Sequence, residues 1–496
     1  MLAAPDSRAN RWAAALMIAA AAAWLLIMVV GIRDHTPIAG DDAFISLQYA
    51  RNLARGEGLV FNRGERVWGF TSPLQTLLLG GIASAGADPL HAAFTTGMLW
   101  AAVAACLLFR LSAEVLPTPL ALCAGLACLL DPSLHGKYPM ESSLLAAVQL
   151  GFLLAAIRQR ALLANLLGAL ACLARPDSLL LVLPILLLGR ETRRLRNLAL
   201  FAAIGLLWEG FAFVYYGDLL PNSLHAKRGL AHSGWYFAEA IVSATNSAWA
   251  VDLPAAAVVA MRVGLVLLSA ATLLNPRVRQ RPALAYALFL YPWLLLGAYA
   301  WIGSPPEHRW EYHSARFLLH AGAAIGLLSV LDAAAARWRV RPPWRTLAVG
   351  VILLFVVHDG VTRSAANLVS LRGPDTATWS GARYAAYRRV TEWIENNLPP
   401  RPTVALHEVG TVAYFSDVTV VDVSGIVTRG YAPHERGQLV SFLHRFASPY
   451  ALSRGDVPEM RIGDGLRYRR LAYFPGQGYA DLSLLAREAD ASGREG

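Results

Sequence analysis

Charge is what this sequence has least of. Only 16% of its 496 residues are Asp, Glu, Lys or Arg, against roughly a quarter in an ordinary soluble domain, while 56% are hydrophobic. Lysine is nearly absent: of 44 basic residues, two are lysines, Lys137 and Lys227, and the others are arginines. Cysteine is limited to Cys106, Cys123, Cys128 and Cys172, all inside or at the ends of apolar stretches. Their spacing suits neither a metal site nor a disulfide framework, so they read as small packing residues. There is no Gly-rich phosphate-cradling loop, and His407-Glu408 lacks the second histidine of a zinc-protease helix. No repeat of fixed period and no low-complexity linker is visible. These deficits exclude a soluble enzyme, a disordered chain, a collagen-like fibre and a disulfide scaffold. With a mean hydropathy of +0.42 and its apolar residues gathered in long blocks, the chain reads as a polytopic membrane protein.

A spanning helix needs about 20 predominantly apolar residues. Trp12–Ile32 meets this as an uncleaved anchor, since its core is longer than a secretory h-region and no A-x-A site follows. Further candidates are 89–109, 117–131, 142–157, 161–174, 177–189, 197–215, 254–274, 283–302, 315–331 and 344–358. The expected fold is therefore mainly α: a polytopic transmembrane helical bundle of about eleven spans. If the spans alternate from a cytoplasmic N-terminus, the inside segments hold Arg8 and Arg11; Arg110; Arg158 and Arg160; Arg190, Arg193, Arg194 and Arg196; Arg277, Arg279 and Arg281; and Arg337, Arg339, Arg341 and Arg345. Every inside loop is short and carries arginine, as the positive-inside rule requires. The formal net charge of +10 is thus an orienting charge, and no nucleic-acid partner is expected. Residues 1–358 form the expected membrane module. Residues 359–496 form a small C-terminal α/β domain outside the cytoplasm, with apolar runs at Thr403–Leu406 and Val418–Val423 around a short Val409–Phe415 segment. Trp100, Trp208, Trp301 and Trp310, near span ends, read as interfacial anchors.

The first outside loop, residues 33–72, is too long and too polar for a simple connection. It opens with Gly40-Asp41-Asp42, and helical spacing follows over Ala43–Arg55. Phe44, Leu47, Ala50 and Ala54 fall on one face; Gln48, Arg51 and Arg55 fall on another. This predicts an amphipathic helix lying on the outer membrane face and closed by Gly56-Glu57-Gly58. For the acid pair, one reading is an N-cap and a dipole-favoured acid. The other is general-base or electrostatic work at the membrane edge. A pair of aspartates can also hold a divalent cation.

The stretch Asp41 to Leu74, with its DDAFISLQYARNL, GEGLVFNRGERV and GFTSPL pieces, resembles the bacterial GT-C membrane glycosyltransferases. It looks closest to the branch of terminal arabinofuranosyltransferases of mycobacterial and corynebacterial cell walls. Met140-Glu141-Ser142-Ser143, Ala174-Arg175-Pro176-Asp177 and the run from Tyr216 to Lys227 resemble the same branch, as do, more faintly, Gly410 to Tyr414 and Val421-Asp422. The chain departs from that pattern at Asp177, where a glutamate is common, and at Trp68, where an acid often sits. The resemblance implies transfer of a sugar from a polyprenyl-phosphate donor, on the outer face of the membrane, to a glycan, lipid or protein acceptor. It places the catalytic acid on Asp41 or Asp42, with Asp41 as base and Asp42 orienting it, or the reverse. A carboxylate within hydrogen-bond reach can take the acceptor hydroxyl's proton and favour the developing oxocarbenium charge.

A lipid-phosphate leaving group calls for cationic donors. Both lysines stand in outside loops, where the charge rule disfavours them. Lys137, His225, Lys227, Arg228 and Arg316 are the candidate phosphate-binding residues, with snorkelling toward lipid headgroups as their alternative. Arg51, Glu141, Arg175, Asp177 and Asn222 are candidate supporting residues, Glu141 and Asp177 being equally suited as ion-pair partners. No cofactor is required, and no metal site is assigned. Two other classes compete: a non-catalytic accessory protein on the same scaffold in envelope or motility assembly, and a secondary transporter. Retention of both aspartates favours the enzyme. A transporter usually shows internal repeats and mid-membrane charges, and neither is visible here.

Overall fold

The computed structural model describes residues 7–35, 37, 39–130, 138–227, 255–302, 313–337, 379–429, 445–446, 448–462, 466–476 and 481–488. The protein is mainly helical, and six of its helices are long and apolar enough to cross a membrane: Asn10–Ile32, Pro89–Ser112, Leu195–Tyr216, Ala256–Leu274, Pro282–Trp301 and Ser314–Leu331. Their outward faces carry large apolar side chains. Leu195, Leu206, Leu207 and Val214 on one helix are 71–84% exposed, a cost in water that lipid removes. The protein is a membrane protein. Four other expected spans appear as shorter apolar helices, Thr118–Leu129, Ser142–Ile157, Ala161–Ala174 and Pro176–Leu188. At 1.5 Å per residue each falls short of a hydrocarbon core about 30 Å thick. The eleventh candidate, 344–358, lies outside the described residues.

The chain forms two compact units. The first unit comprises residues 1–33, 94–208 and 229–368; the second comprises 34–93, 209–228 and 369–496. In the first unit, helix His313–Arg337 packs on helix Ala255–Ala271 through a Gly322-x-x-x-Gly326 stripe. A Cβ on Gly326 would stand 1.7 Å from the Leu268 carbonyl oxygen. Only glycine permits that backbone approach, the usual device where lipid offers no hydrophobic drive between helices.

In the second unit, six strands form one mixed sheet: β1 (Thr403–Leu406), β2 (Thr419–Asp422), β3 (Tyr450–Arg454), β4 (Glu459–Ile462), β5 (Leu466–Phe474) and β6 (Leu482–Arg487), ordered β2-β1-β3-β6-β5-β4. β1 runs parallel to β2 and β3; the remaining pairs are antiparallel. Ala405, Val421, Ala451, Leu466, Tyr468 and Leu485 form its buried cluster. Helix Trp379–Asn397 buries Ala382, Ala386, Val390 and Ile394, one residue every fourth, and touches β5 and β6.

Helix Asp41–Ala54 begins at the expected acid pair and stops before Gly56, whose φ of +77° no β-carbon favours. It does not present a wet polar face. Gln48 and Asn52 are buried and spend their amides on the following loop: Gln48 Nε2 donates to Phe61 O at 3.2 Å, and Asn52 Nδ2 to Val60 O and Phe61 O at 2.9 and 2.8 Å. Tyr49 adds a bond to Val67 O at 2.6 Å. The polar residues on this helix serve protein backbone, so its fit is to the second unit. The loop in turn holds the sheet: Asn62 Nδ2 donates to Val420 O at 2.8 Å, and Val420 N donates to Asn62 Oδ1 at 2.9 Å. These bonds explain why the first loop and the C-terminal sheet share one unit.

Candidate functional site

Asp41 and Arg51 grip the two ends of helix Gly410–Phe415. Gly410 N and Thr411 N donate to the two carboxylate oxygens of Asp41 at 2.9 and 2.7 Å. At the other end Arg51 donates to the carbonyls of Tyr414 and Ala413, and its guanidinium lies 5.1 Å from the Tyr414 ring. An anion at the N-terminus and a cation at the C-terminus match the helix dipole. Burial pulls the Arg51 guanidinium down to about 10, aided by Arg55, so it stays charged at neutral pH. Gly410 is required here, since a Cβ would lie 1.9 Å from the Asp41 carbonyl oxygen. Phe44 completes the contact, with ring centroids 5.2 Å from both Tyr414 and Phe415.

Asp42, next in the chain, is exposed where Asp41 is half-buried. Around the pair stand groups that sequence reasoning missed. Glu408 accepts ion pairs from both Arg383 and Arg454. Burial, then the charge of Asp41, pushes Tyr387 up to about 12. Partial burial, then Arg454 and Arg383, holds His407 below the ordinary histidine value. Spacing gave no signal for this group, because its members come from four distant segments.

Asp422, at the end of β2, is fully buried. It accepts from Ser424, Ile426 and Val427 N at 2.7, 2.6 and 2.9 Å and so shapes the 423–428 turn. Burial pushes it up to about 6 despite these donors. Asn222 closes the same turn from outside, its Nδ2 within 2.6–3.3 Å of the Gly425, Ile426 and Thr428 carbonyls. His225 Nε2 lies 3.3 Å from Asp218 Oδ2.

In the first unit, Arg175 is the hub of a buried network. Its Nη1 donates to Glu141 Oε1 at 2.8 Å, its Nε to Asp177 Oδ2 at 3.1 Å and its Nη2 to Tyr299 OH at 2.6 Å; Tyr299 OH donates to Asp177. Glu141 and Asp177 are thus ion-pair partners of Arg175, a set the sequence named without connecting, and Tyr299 was missed. A second polar chain of the same unit joins Gln149 to Ser178 and Ser314, and Ser314 to Tyr291.

Only part of the candidate phosphate set falls among the described residues. Lys137, Arg228 and the Lys227 side chain lie outside them; His225 belongs to the second unit and Arg316 to the first, near the start of helix His313–Arg337. Among the described residues, no three His, Cys, Asp or Glu side chains cluster as metal ligands.

The fold is similar to those of solved structures of two other proteins. It matches the crystal structure of ArnT from Cupriavidus metallidurans in the apo state with a TM-score of 0.60, at 13% identity over 97% of this chain and 98% of that one. The same protein bound to undecaprenyl phosphate matches with a TM-score of 0.57, at 13% identity over 97% of this chain and 99% of that one. The apo oligosaccharyltransferase of Archaeoglobus fulgidus matches with a TM-score of 0.50, at 12% identity over 88% of this chain and 69% of that one. At these identities the likeness is one of fold. Residues 377–482 match a family model described as a domain of unknown function (DUF8728). No curated protein matches the chain by sequence.

Proposed function

We propose that the protein is a glycosyltransferase of a bacterial inner membrane. It moves a pentose or hexose from a polyprenyl-phosphate donor to an envelope glycan, lipid or protein acceptor on the outer face. The observation that carries this is the acid pair placed just after the first membrane helix of a GT-C fold, with Asp41 fixed by two backbone N–H groups and Asp42 exposed beside it. The bound state of the structurally similar ArnT, with undecaprenyl phosphate, supports a lipid-linked donor.

In the proposed reaction the acceptor hydroxyl oxygen bonds to the anomeric carbon, the bond from that carbon to the phosphate oxygen breaks, and the lipid phosphate leaves with the electron pair. Asp42 takes the hydroxyl proton. Asp41, with both oxygens engaged by Gly410 and Thr411, acts as the positioning residue, which reverses the first assignment of the pair. Cations among Lys137, His225, Lys227, Arg228 and Arg316 meet the leaving phosphate. The reaction needs no cofactor.

Purified protein given an acceptor and a panel of polyprenyl-phosphate pentoses and hexoses should release polyprenyl phosphate from one of them. Asp42→Asn should abolish release and leave thermal stability unchanged, whereas Asp41→Asn should lower both. Turnover with no donor, or full activity in both variants, would overturn the reading in favour of an accessory role. Alkaline phosphatase fused after residue 358 should be active, as an extracytoplasmic C-terminal domain demands.

A further inference from the structure

Four arginines from three separate stretches of the first unit meet in one cavity of about 450 Å³. Arg110 comes from the last turn of helix Pro89–Ser112, Arg158 follows helix Ser142–Ile157, and Arg277 and Arg281 lie in and just after the short helix Pro276–Arg279. Asn10 of the first helix and Glu114 also line it. Glu114 is the one carboxylate among the described residues of the cavity wall and is already committed. Arg158 donates to its Oε1 through Nε and Nη2 at 3.0 and 2.9 Å, and Arg281 donates to its Oε2 at 3.0 Å and to its backbone carbonyl at 2.7 Å. Among the described residues, no ion pair involves Arg110 or Arg277. The cavity therefore holds more positive charge than its own wall balances.

The positive-inside pattern accounts for an arginine in each of these segments, since all four belong to the set assigned to the cytoplasm. It does not account for their convergence on a concave space. Arginine beside a helix C-terminus also eases the dipole, but that contact needs no cavity. We propose that this cavity binds a phosphate-bearing anion, supplied by the headgroup of an anionic phospholipid in the cytoplasmic leaflet. The volume suits a small ligand. Guanidinium groups recognise phosphate through paired N–H donors, and Glu114 holds two of the four in place. The anionic lipids of that leaflet provide the ligand at high local concentration.

The test uses the full-length protein in neutral phosphatidylcholine nanodiscs, titrated with short-chain phosphatidylglycerol and, separately, with inorganic phosphate. Wild-type protein should bind the lipid saturably, and more weakly as salt rises. Arg110→Ala/Arg277→Ala should bind at least tenfold more weakly with an unchanged melting temperature, because neither arginine supports Glu114. Arg279→Ala, which removes an exposed arginine outside the cavity wall, should bind as wild type does. Inorganic phosphate that competes as strongly as the lipid would support the site with a soluble source; failure to compete would support the headgroup. Equal binding by the double variant, or no binding of either anion, would overturn the proposal.

Discussion

In the first unit Arg175 is enclosed by Glu141, Asp177 and Tyr299, side chain against side chain, whereas in the second Asp41 and Arg51 reach to the backbone ends of helix Gly410–Phe415. Both arrangements neutralise charge, but they differ in what is left when one member is removed. Arg175 and Glu141 are about 7% exposed, so deleting the arginine strands the Glu141 carboxylate away from water and takes the ion-pair partner from the partly exposed Asp177. Asp41 and Arg51 are half-buried, and water can replace them at a helix end. The first network is therefore brittle and the second tolerant.

Six substitutions test that contrast. Arg175→Met should lower stability most, by about 3–5 kcal/mol, the cost of an uncompensated buried charge. Adding Glu141→Gln and Asp177→Asn should restore most of the melting temperature of the detergent-solubilised protein; no loss in the single variant would end the claim of brittleness.

Asp422 is the second unit's counter-case, a fully buried acid held by backbone N–H groups. Its carboxyl titrates at about 6 in the fold, against an ordinary 3.8. The folded state thus holds this proton more tightly than the unfolded one. The contribution is complete below about pH 4 and is lost as pH rises through 6, a change of up to roughly 3 kcal/mol. Chemical denaturation of wild type and Asp422→Asn between pH 4 and pH 7.5 should show a slope in the difference over that window. A flat difference would mean that the three donors hold the anion as readily as water does.

Gly410→Ala should cost about 1–3 kcal/mol by overpacking against the Asp41 carbonyl. Arg51→Ala should cost the least, about 1 kcal/mol, for a charge-assisted bond at a site water can reach. Thermal melts rank the two, and a larger loss from Arg51→Ala than from Arg175→Met would invert the comparison.

What could be read from the sequence were features that repeat or sit close together. Hydropathy located ten apolar segments that are helices, and the 3.6-residue period located Asp41–Ala54. The β1–helix–β2 segment was also visible. Its partner strands were not, although β5 alternates: Leu466 and Tyr468 are buried, Arg467 and Arg469 exposed. Three arginines between 466 and 474 masked that period-2 signal. Apolar runs such as Ala161–Ala174 are helices with the expected bounds, yet too short to cross a membrane alone. The site was legible as a roster, not as an arrangement. Nothing local reveals that Asp41 holds a backbone 369 positions away, or that Arg175 needs Tyr299.

Asn62 lies against β2, the outermost strand on its side of the sheet. An unpaired strand edge is a template for another polypeptide, and fusion of such edges is a common route to aggregates. By occupying both the N–H and the carbonyl of Val420, this one amide blocks a second chain from docking there. The opposite border is defended differently, by Glu459 and Arg461 projecting from β4. A sheet sealed by a residue from the first loop is one whose solubility depends on a segment more than 300 residues upstream, so excising the C-terminal region for separate expression would expose a sticky margin.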